Sequence, residues 1–417
     1  MRVAAALPTG GHVLNVCADR YRFTVGFAAS LVANKISLLP STHTAEVIRQ
    51  LTVFAPDVFC LTDDERCDID LPRVHFPEGP IGNVLPWQCP EIDTARLAAY
   101  VFTSGSTGTP LPYKKSWGRL AACVREGAGR LGLLDGRSHA IVGTVPPQHM
   151  YGFESTVILP LQSGNACCAE RPFYPADICN VLAGVSRPRT LVSTPIHLRM
   201  LLAADVDLPA ADLIVSATAP LSQNLAREVE ERFDTRLLEI YGSTETGQIA
   251  VRRTAHTAEW QLWSGVRLTV RDDRTWAHGG HLEQPTPMCD VLEVTGEDRF
   301  LLHGRMADVV NIAGKRSSLA YLNHHLNAVP GVVDGAFFLR DDDQAPSTKV
   351  TRVAAVVVAP GLDAASLVEQ LRKRIDPTFL PRPLLFVDKL PRNDTGKLPA
   401  EALQSLVAGA MKRTAPK

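Results

Sequence analysis

The run Val101-Phe102-Thr103-Ser104-Gly105-Ser106-Thr107-Gly108-Thr109-Pro110 sets hydroxyls and glycines directly behind an apolar strand. That is the chemistry of a phosphate grip. Gly105 and Gly108 permit turns closed to other residues, the backbone N–H groups between them can converge on an anion, and Ser104, Ser106 and Thr107 add hydroxyl donors. Taken alone, the run reads equally well as a surface Ser/Thr/Gly loop. Three further segments remove that ambiguity. Glu239-Ile240-Tyr241-Gly242-Ser243-Thr244-Glu245-Thr246-Gly247 ends an apolar strand in small residues around one carboxylate. Gly304-Arg305-Met306-Ala307-Asp308 follows, and Pro391-Arg392-Asn393-Asp394-Thr395-Gly396-Lys397 lies close to the C-terminus.

In this order and at these separations the four segments resemble those of the adenylate-forming superfamily: acyl- and aryl-CoA synthetases, carrier-protein ligases, peptide-synthetase adenylation domains and luciferases. The resemblance runs from about residue 10 to residue 405. It implies that ATP and Mg²⁺ serve to convert a carboxylic acid into an acyl-adenylate, which a thiol then attacks. Thr103, Ser104, Gly105, Ser106, Thr107 and Gly108 are expected on the β- and γ-phosphates. Glu245 matches the carboxylate that carries Mg²⁺, a hard cation that bridges phosphate oxygens and needs such a ligand. Thr244 is expected at the α-phosphate and Tyr241 against the adenine, with Gly242 beside it. The family's lysine after the Gly-x-Pro step is displaced here, since Leu111-Pro112-Tyr113 intervene before Lys114 and Lys115. One of these two, Lys115 in the first place, is expected to reach the phosphates. Lys397 is implied as the catalytic lysine, a mobile ammonium that bridges the substrate carboxylate and the α-phosphate as they react.

The family's ribose-binding aspartate lies about as far before the Gly-Arg pair as Asp290 lies before Gly304, which is 14 positions. Asp298, in Thr295-Gly296-Glu297-Asp298, lies too close. Asp290 is therefore expected at the ribose with Arg305 as a second contact, although Cys289 stands where the family has glycine. Pro147-Gln148-His149-Met150-Tyr151-Gly152 resembles the His-aromatic-Gly segment that lies against the acid and gates it. His149, Tyr151, Gly152, Thr194, Ala217, Ala219 and Gly242 are the expected walls of the acyl pocket. Small residues and few charges there imply an apolar or aromatic acid, such as a hydroxybenzoate. Glu154 resembles in place the aspartate that adenylation domains use for an α-amino group, but the spacing around it fits the acyl and aryl branch better.

The Ser-Thr-Gly-x-Pro-x-Pro-x-x-Lys form of the phosphate loop is similar to that of short ligases in aryl-polyene and fatty-acid-like pathways, whose acceptor is an acyl carrier protein. The recognisable pattern starts almost at Met1, so part of the first subdomain is expected to be reduced. A carrier-protein thiol is the expected acceptor and free CoA the alternative. Arg372, Lys373 and Arg374 offer a basic patch for an acidic carrier, or simply the solvated face of a helix. A binding protein that had lost catalysis would be expected to lack Lys397, Glu245 or the glycines. A serine hydrolase is disfavoured because no G-x-S-x-G elbow surrounds Ser104 or Ser106.

Bulk properties set the frame that must position these residues. A chain of 417 residues exceeds one ordinary core, and a formal net charge of -1 with mixed signs argues against a nucleic-acid surface. No apolar run reaches the roughly 18 residues that span a bilayer, so no stable membrane insertion is expected. The nine cysteines lack CxxC pairing, which fits reduced thiols and a cytoplasmic location. Met1-Arg2 leads into a short Ala-rich strand without the pattern of a secretory signal. Short apolar runs alternating with helical patterns imply an α/β fold of sheets covered by helices over residues 1–305. Within it, strand 212–217 is followed by a helix capped by Ser222 with Leu225, Val229 and Phe233 on its buried face. Residues 306–417 read as a small, mobile α+β domain: strand 309–312, helix 319–326, strands 336–339 and 353–358, helix 364–375 and strand 384–387. The acidic Asp341-Asp342-Asp343 run fits a solvated loop. The resemblance implies a hinge at Ala307, where the family usually has Asp or Lys.

Overall fold

The computed structural model describes residues 1–78, 89–104, 110–272, 274–305, 309–312, 315–339, 352–393 and 398–414. Gly105, Ser106, Thr107 and Gly108 of the phosphate loop, the hinge residue Ala307, the Asp341 to Asp343 run and Lys397 lie outside the described residues.

Two sheets carry the large N-terminal part. In the first, Arg73–His75, Val58–Thr62, His12–Asn15, Ile36–Leu39 and Leu97–Ser104 run parallel in that lateral order, and Pro110–Ser116 closes the edge antiparallel to Leu97–Ser104. The segment 25–40 that is apolar without being long enough to span a bilayer divides into helix Arg20–Val32 and strand Ile36–Leu39. The second sheet has nine strands. Ala166–Cys167, Ala140–Gly143, Arg189–Ser193, Leu213–Ser216 and Leu237–Ser243 are parallel, and Gly247–Arg252, Glu259–Leu262, Arg299–Arg305 and Asp290–Val294 continue it antiparallel.

The helix after strand Leu213–Ser216 runs from Gln223 to Phe233, and the Ser222 hydroxyl caps it by accepting from the Leu225 N–H at 3.2 Å. Leu225, Val229 and Phe233 are buried together, so their four-residue spacing does place one face in the core.

The C-terminal unit has its own core. Hairpin Val309–Ile312 and Lys315–Ser318 leads to helix Leu319–Asn327, and strands Asp334–Leu339, Val353–Val358 and Leu384–Phe386 form a separate sheet with helix Ala364–Arg372 beside it. Among the described residues, the buried apolar clusters of this unit begin at Val310, and those of the large part end at Phe300. One ion cluster crosses between them. Arg392 grips Asp334 with Nε at 2.7 Å and Nη2 at 2.8 Å, and Arg199 of the large part approaches the same carboxylate at 3.8 Å.

Two elements differ from the sequence reading. Arg2–Ala6 is a helix, not a strand: five residues are too few for periodicity to decide, and alanine favours helix once Val3 is anchored in the core. Ala400–Thr414 is a helix that the reading left unassigned, and Leu403, Leu406, Val407 and Ala410 pack it onto the small sheet's cluster. All nine cysteines are free thiols. Among the described residues no helix is long and apolar enough to cross a membrane.

Candidate functional site

Four adjacent parallel strands of the second sheet end on one edge, and ligands of open α/β sheets bind outside such ends. Beyond Ala140–Gly143 lies His149, beyond Arg189–Ser193 lies Thr194, and beyond Leu213–Ser216 lie Ala217 and Ala219. Leu237–Ser243 delivers Gly242 and the turn Thr244-Glu245-Thr246 to the same edge. Residues as far apart in the chain as His149 and Thr246 thus share one edge.

The turn around Glu245 is built without using its carboxylate. Ser243 N–H donates to Thr246 Oγ1 at 3.1 Å, and Thr246 N–H donates back to Ser243 Oγ at 3.2 Å. Gly247 then takes φ +70, and a Cβ there would come within 2.7 Å of Glu154 Oε1, so both conformation and space require glycine. Facing the turn is strand Pro110–Ser116. Residues two apart on a strand share a side, and here Tyr113 and Lys115 do so while Lys114 is exposed. The Tyr113 phenol faces the Glu245 carboxylate and the Thr103 hydroxyl. Burial first, and then the Glu245 charge, pushes its pKa up. Lys115 is 9 % exposed, and its Nζ donates to the Thr244 carbonyl and, at 3.3 Å, to the Glu245 carbonyl. Burial lowers its pKa, against the pull of Glu154, Cys123 and Glu245.

A second carboxylate sits at the neighbouring antiparallel strands. Tyr241 OH donates to Asp290 Oδ2 at 2.5 Å, while the Tyr241 ring is buried against Trp260 and Phe300 at centroid distances of 5.4 Å each. Asp290 is the cross-strand partner of Arg305. Asp298 instead lies at the far end of that hairpin, where it accepts from Gln261 Nε2 at 3.3 Å and is partly exposed. The two aspartates are therefore not interchangeable, and only Asp290 reaches Tyr241.

His149 precedes the short helix Met150–Phe153, which passes into a π-helical turn, Glu154–Ile158. Such turns recur at functional sites. Tyr151 is a strut as much as a wall: its OH donates to the Ser193 carbonyl at 3.2 Å and the Val215 carbonyl at 3.1 Å. Gly152 admits a close approach, since a Cβ would stand 2.0 Å from the Pro146 carbonyl oxygen. Thr194 is fully buried with its Oγ1 2.8 Å from His197 Nδ1. Thr218, between Ala217 and Ala219, holds φ +80, a strained conformation for a β-branched residue. Glu154 turns away from this pocket. It is 2 % exposed, lies under Gly247 and Gln248, accepts from Cys123 Sγ at 3.5 Å, and is pushed up to about 7 by burial. Across Gln148, a cavity of about 390 Å³ is lined by Asn15, Cys17, His43 and Arg171 among others.

A model of the family described as AMP-binding enzyme matches residues 11–292. The chain belongs to this family. A 4-coumarate–CoA ligase of Rhodobacter capsulatus is 30 % identical over 299 residues, covering 71 % of this chain and 73 % of that protein. An indoleacetate–CoA ligase of Aromatoleum aromaticum is 25 % identical over 366 residues, covering 78 % and 70 %. ATP-bound MatB from Rhodopseudomonas palustris superposes with a TM-score of 0.80 at 20 % identity over 97 % of this chain and 91 % of that one. An anthranilate CoA ligase in complex with anthranoyl-AMP gives 0.81 at 16 %, over 100 % and 91 %. Those last two likenesses speak to the fold: mixed sheets covered by helices and a smaller C-terminal region. The protein is an AMP-forming acid–thiol ligase.

For the ligase, two residues of the site were not foreseen. Tyr113 lies in the interruption before the lysines, and its place two positions before Lys115 on one strand is the signal that marks it. His281 donates through Nε2 to the Thr246 carbonyl at 2.9 Å, and burial pushes its pKa down to about 4, so the ring is neutral. No motif marks it. The donor set suits a hard cation held partly by its substrate. Glu245 presents one carboxylate, and among the described residues no group of three or more His, Cys, Asp or Glu could form an all-protein cage.

Proposed function

We propose that the ligase adenylates a small aromatic carboxylic acid and passes the acyl group to the thiol of CoA. The observation that carries this reading is that strand Leu237–Ser243 brings Tyr241 to Asp290 and leads into the turn whose Glu245 faces Tyr113 and Thr103, at the strand that runs into Ser104. In this reading Asp290 and Arg305 hold the ribose, and Thr103 to Gly108 hold the β- and γ-phosphates. Glu245 is the residue that would hold Mg²⁺, which, when bound, neutralises phosphate charge. Thr244 bonds the α-phosphate through its hydroxyl. His149, Tyr151, Gly152, Thr194, Ala217, Ala219 and Gly242 shape the acid's pocket, and Lys397, on a C-terminal domain beginning at residue 306, supplies the positive charge at the reacting carboxylate. The carboxylate oxygen attacks the α-phosphorus and pyrophosphate leaves. The thiol sulfur then attacks the acyl carbonyl, AMP leaves, and the thiol proton goes to solvent. An aromatic acid is supported by the names of relatives that act on 4-coumarate, indoleacetate and 4-chlorobenzoate.

The relatives' names also put free CoA first as acceptor. The Pro110-x-Pro112 form of the phosphate loop and the exposed Arg372 and Lys373 support a carrier protein as the second reading. Incubation with ATP, an aryl-acid panel and either CoA or a phosphopantetheinylated carrier, with mass detection of both thioesters, separates them. Acyl-CoA at micromolar CoA is the expected product. Loading of the carrier alone reverses the order.

Asp290→Ala is expected to raise the apparent KM for ATP strongly, because a carboxylate accepting two hydroxyls contributes on the order of a few kcal/mol when the bonds are charge-assisted. Asp298→Ala should leave KM near wild type, since its carboxylate lies at the far end of the hairpin beside Gln261 and Arg299. Steady-state kinetics in ATP compares the two, and the opposite ranking contradicts the assignment.

A further inference from the structure

The turn that carries Glu245 is gripped from beneath by polar side chains drawn from distant segments. Lys115 Nζ holds the Thr244 and Glu245 carbonyls across about 130 positions of chain. His281 Nε2 holds the Thr246 carbonyl at 2.9 Å. Glu154, with Cys123 at 3.5 Å, lies directly under Gly247 and Gln248, and Cys123 Sγ also donates to the Gln248 carbonyl at 3.4 Å. Gln248 Nε2 in turn donates to Ser155 Oγ at 2.9 Å, fastening the turn's exit to the π-helical segment behind the acyl pocket.

Burying an ammonium and a carboxylate in one place costs stability that a well-packed apolar pair would not. A purely structural support would not need them. The Lys115 ammonium holds the carbonyls of Thr244 and Glu245, and this fixes the backbone from which the Glu245 side chain departs. Lys115 is moreover committed to these carbonyls and nearly inaccessible, whereas Lys114 beside it is exposed.

We infer that Lys115, backed by Glu154 and His281, is a positioning residue: it sets the Glu245 carboxylate for the metal-bearing end of ATP and is not itself a phosphate ligand. The inference rests on the reading of Glu245 given above. Groups one layer behind a metal ligand orient it, and their loss costs about tenfold or more in metal affinity.

The test is calorimetric titration of ATP into the full chain, with and without MgCl₂, for wild type, Lys115→Met, Lys115→Arg and Glu245→Gln. Lys115→Met should bind metal-free ATP within about twofold of wild type, while the gain in affinity on adding Mg²⁺ falls about tenfold. Lys115→Arg, which still reaches both carbonyls, should recover part of that gain. If metal-free ATP binding collapses in a folded Lys115→Met, the lysine is a phosphate ligand and the inference is wrong. An undiminished Mg²⁺ gain in that variant overturns it as well. Should Lys115→Met not fold, Lys115→Gln is judged by the same two results. Glu245→Gln separates the layers: if it keeps the wild-type Mg²⁺ gain, the reading of Glu245 fails, and if it loses the gain while the lysine variants keep theirs, only the positioning role fails.

Discussion

Lys397→Ala is expected to slow acid-dependent pyrophosphate exchange by about a thousandfold or more, the scale on which a preorganised charge at a developing anion acts, while ATP binding and the fold stay near wild type. In the proposed reading Asp290 and Arg305 hold the ribose and Thr103 to Gly108 the phosphates, so ATP binding does not depend on this residue. The segment that carries Lys397 is tied to the small unit's sheet by the Arg392 pair with Asp334, at 2.7 and 2.8 Å, which anchors its start independently of the lysine. Transfer to the thiol from chemically prepared acyl-AMP should survive the same substitution, since that step starts after the carboxylate has reacted. Exchange at a wild-type rate would mean that another group does this work.

Glu245→Gln should cost about a hundredfold to a thousandfold in exchange, again as loss of one electrostatic element of the site, and should shift the Mg²⁺ activation curve to higher concentration. The substitution is well suited to the question because the turn is closed by Ser243 and Thr246 and fastened through backbone carbonyls, so removing the carboxylate charge leaves its scaffold intact. Thermal melting should therefore be close to wild type. An unchanged Mg²⁺ curve would remove Glu245 from its proposed place.

Much of this site could be read from the chain because its parts are local. The strand, glycine and carboxylate sequence from Glu239 to Gly247 dictates a strand ending in a tight turn, and Ser222 with Leu225, Val229 and Phe233 dictates the helix before it. The choice of Asp290 over Asp298 rests on a single spacing, and in the hairpin antiparallel pairing sets Asp290 opposite Arg305 while Asp298 falls at the turn. The contributions of Lys115, Glu154 and His281 were not legible in the same way. Lys115 was read as a candidate phosphate contact because it follows a phosphate loop, yet its partners come from a turn 129 positions away. Glu154 stands where adenylation domains carry an aspartate for an α-amino group, a role its surrounding spacing disfavours, and the π-helical turn sets it beneath Gly247. Sequence spacing sets a residue's place along the strand or helix; only the packing of separate segments decides what its side chain meets.

Exchange of labelled pyrophosphate into ATP in the presence of Mg²⁺, measured across aryl and short fatty acids with no thiol added, tests the central claim most directly. Exchange that appears only when an acid is supplied, is strongest with an aromatic acid and is lost in Lys397→Ala is the predicted result. Folded protein that binds ATP but exchanges no pyrophosphate with any acid of the panel would contradict it.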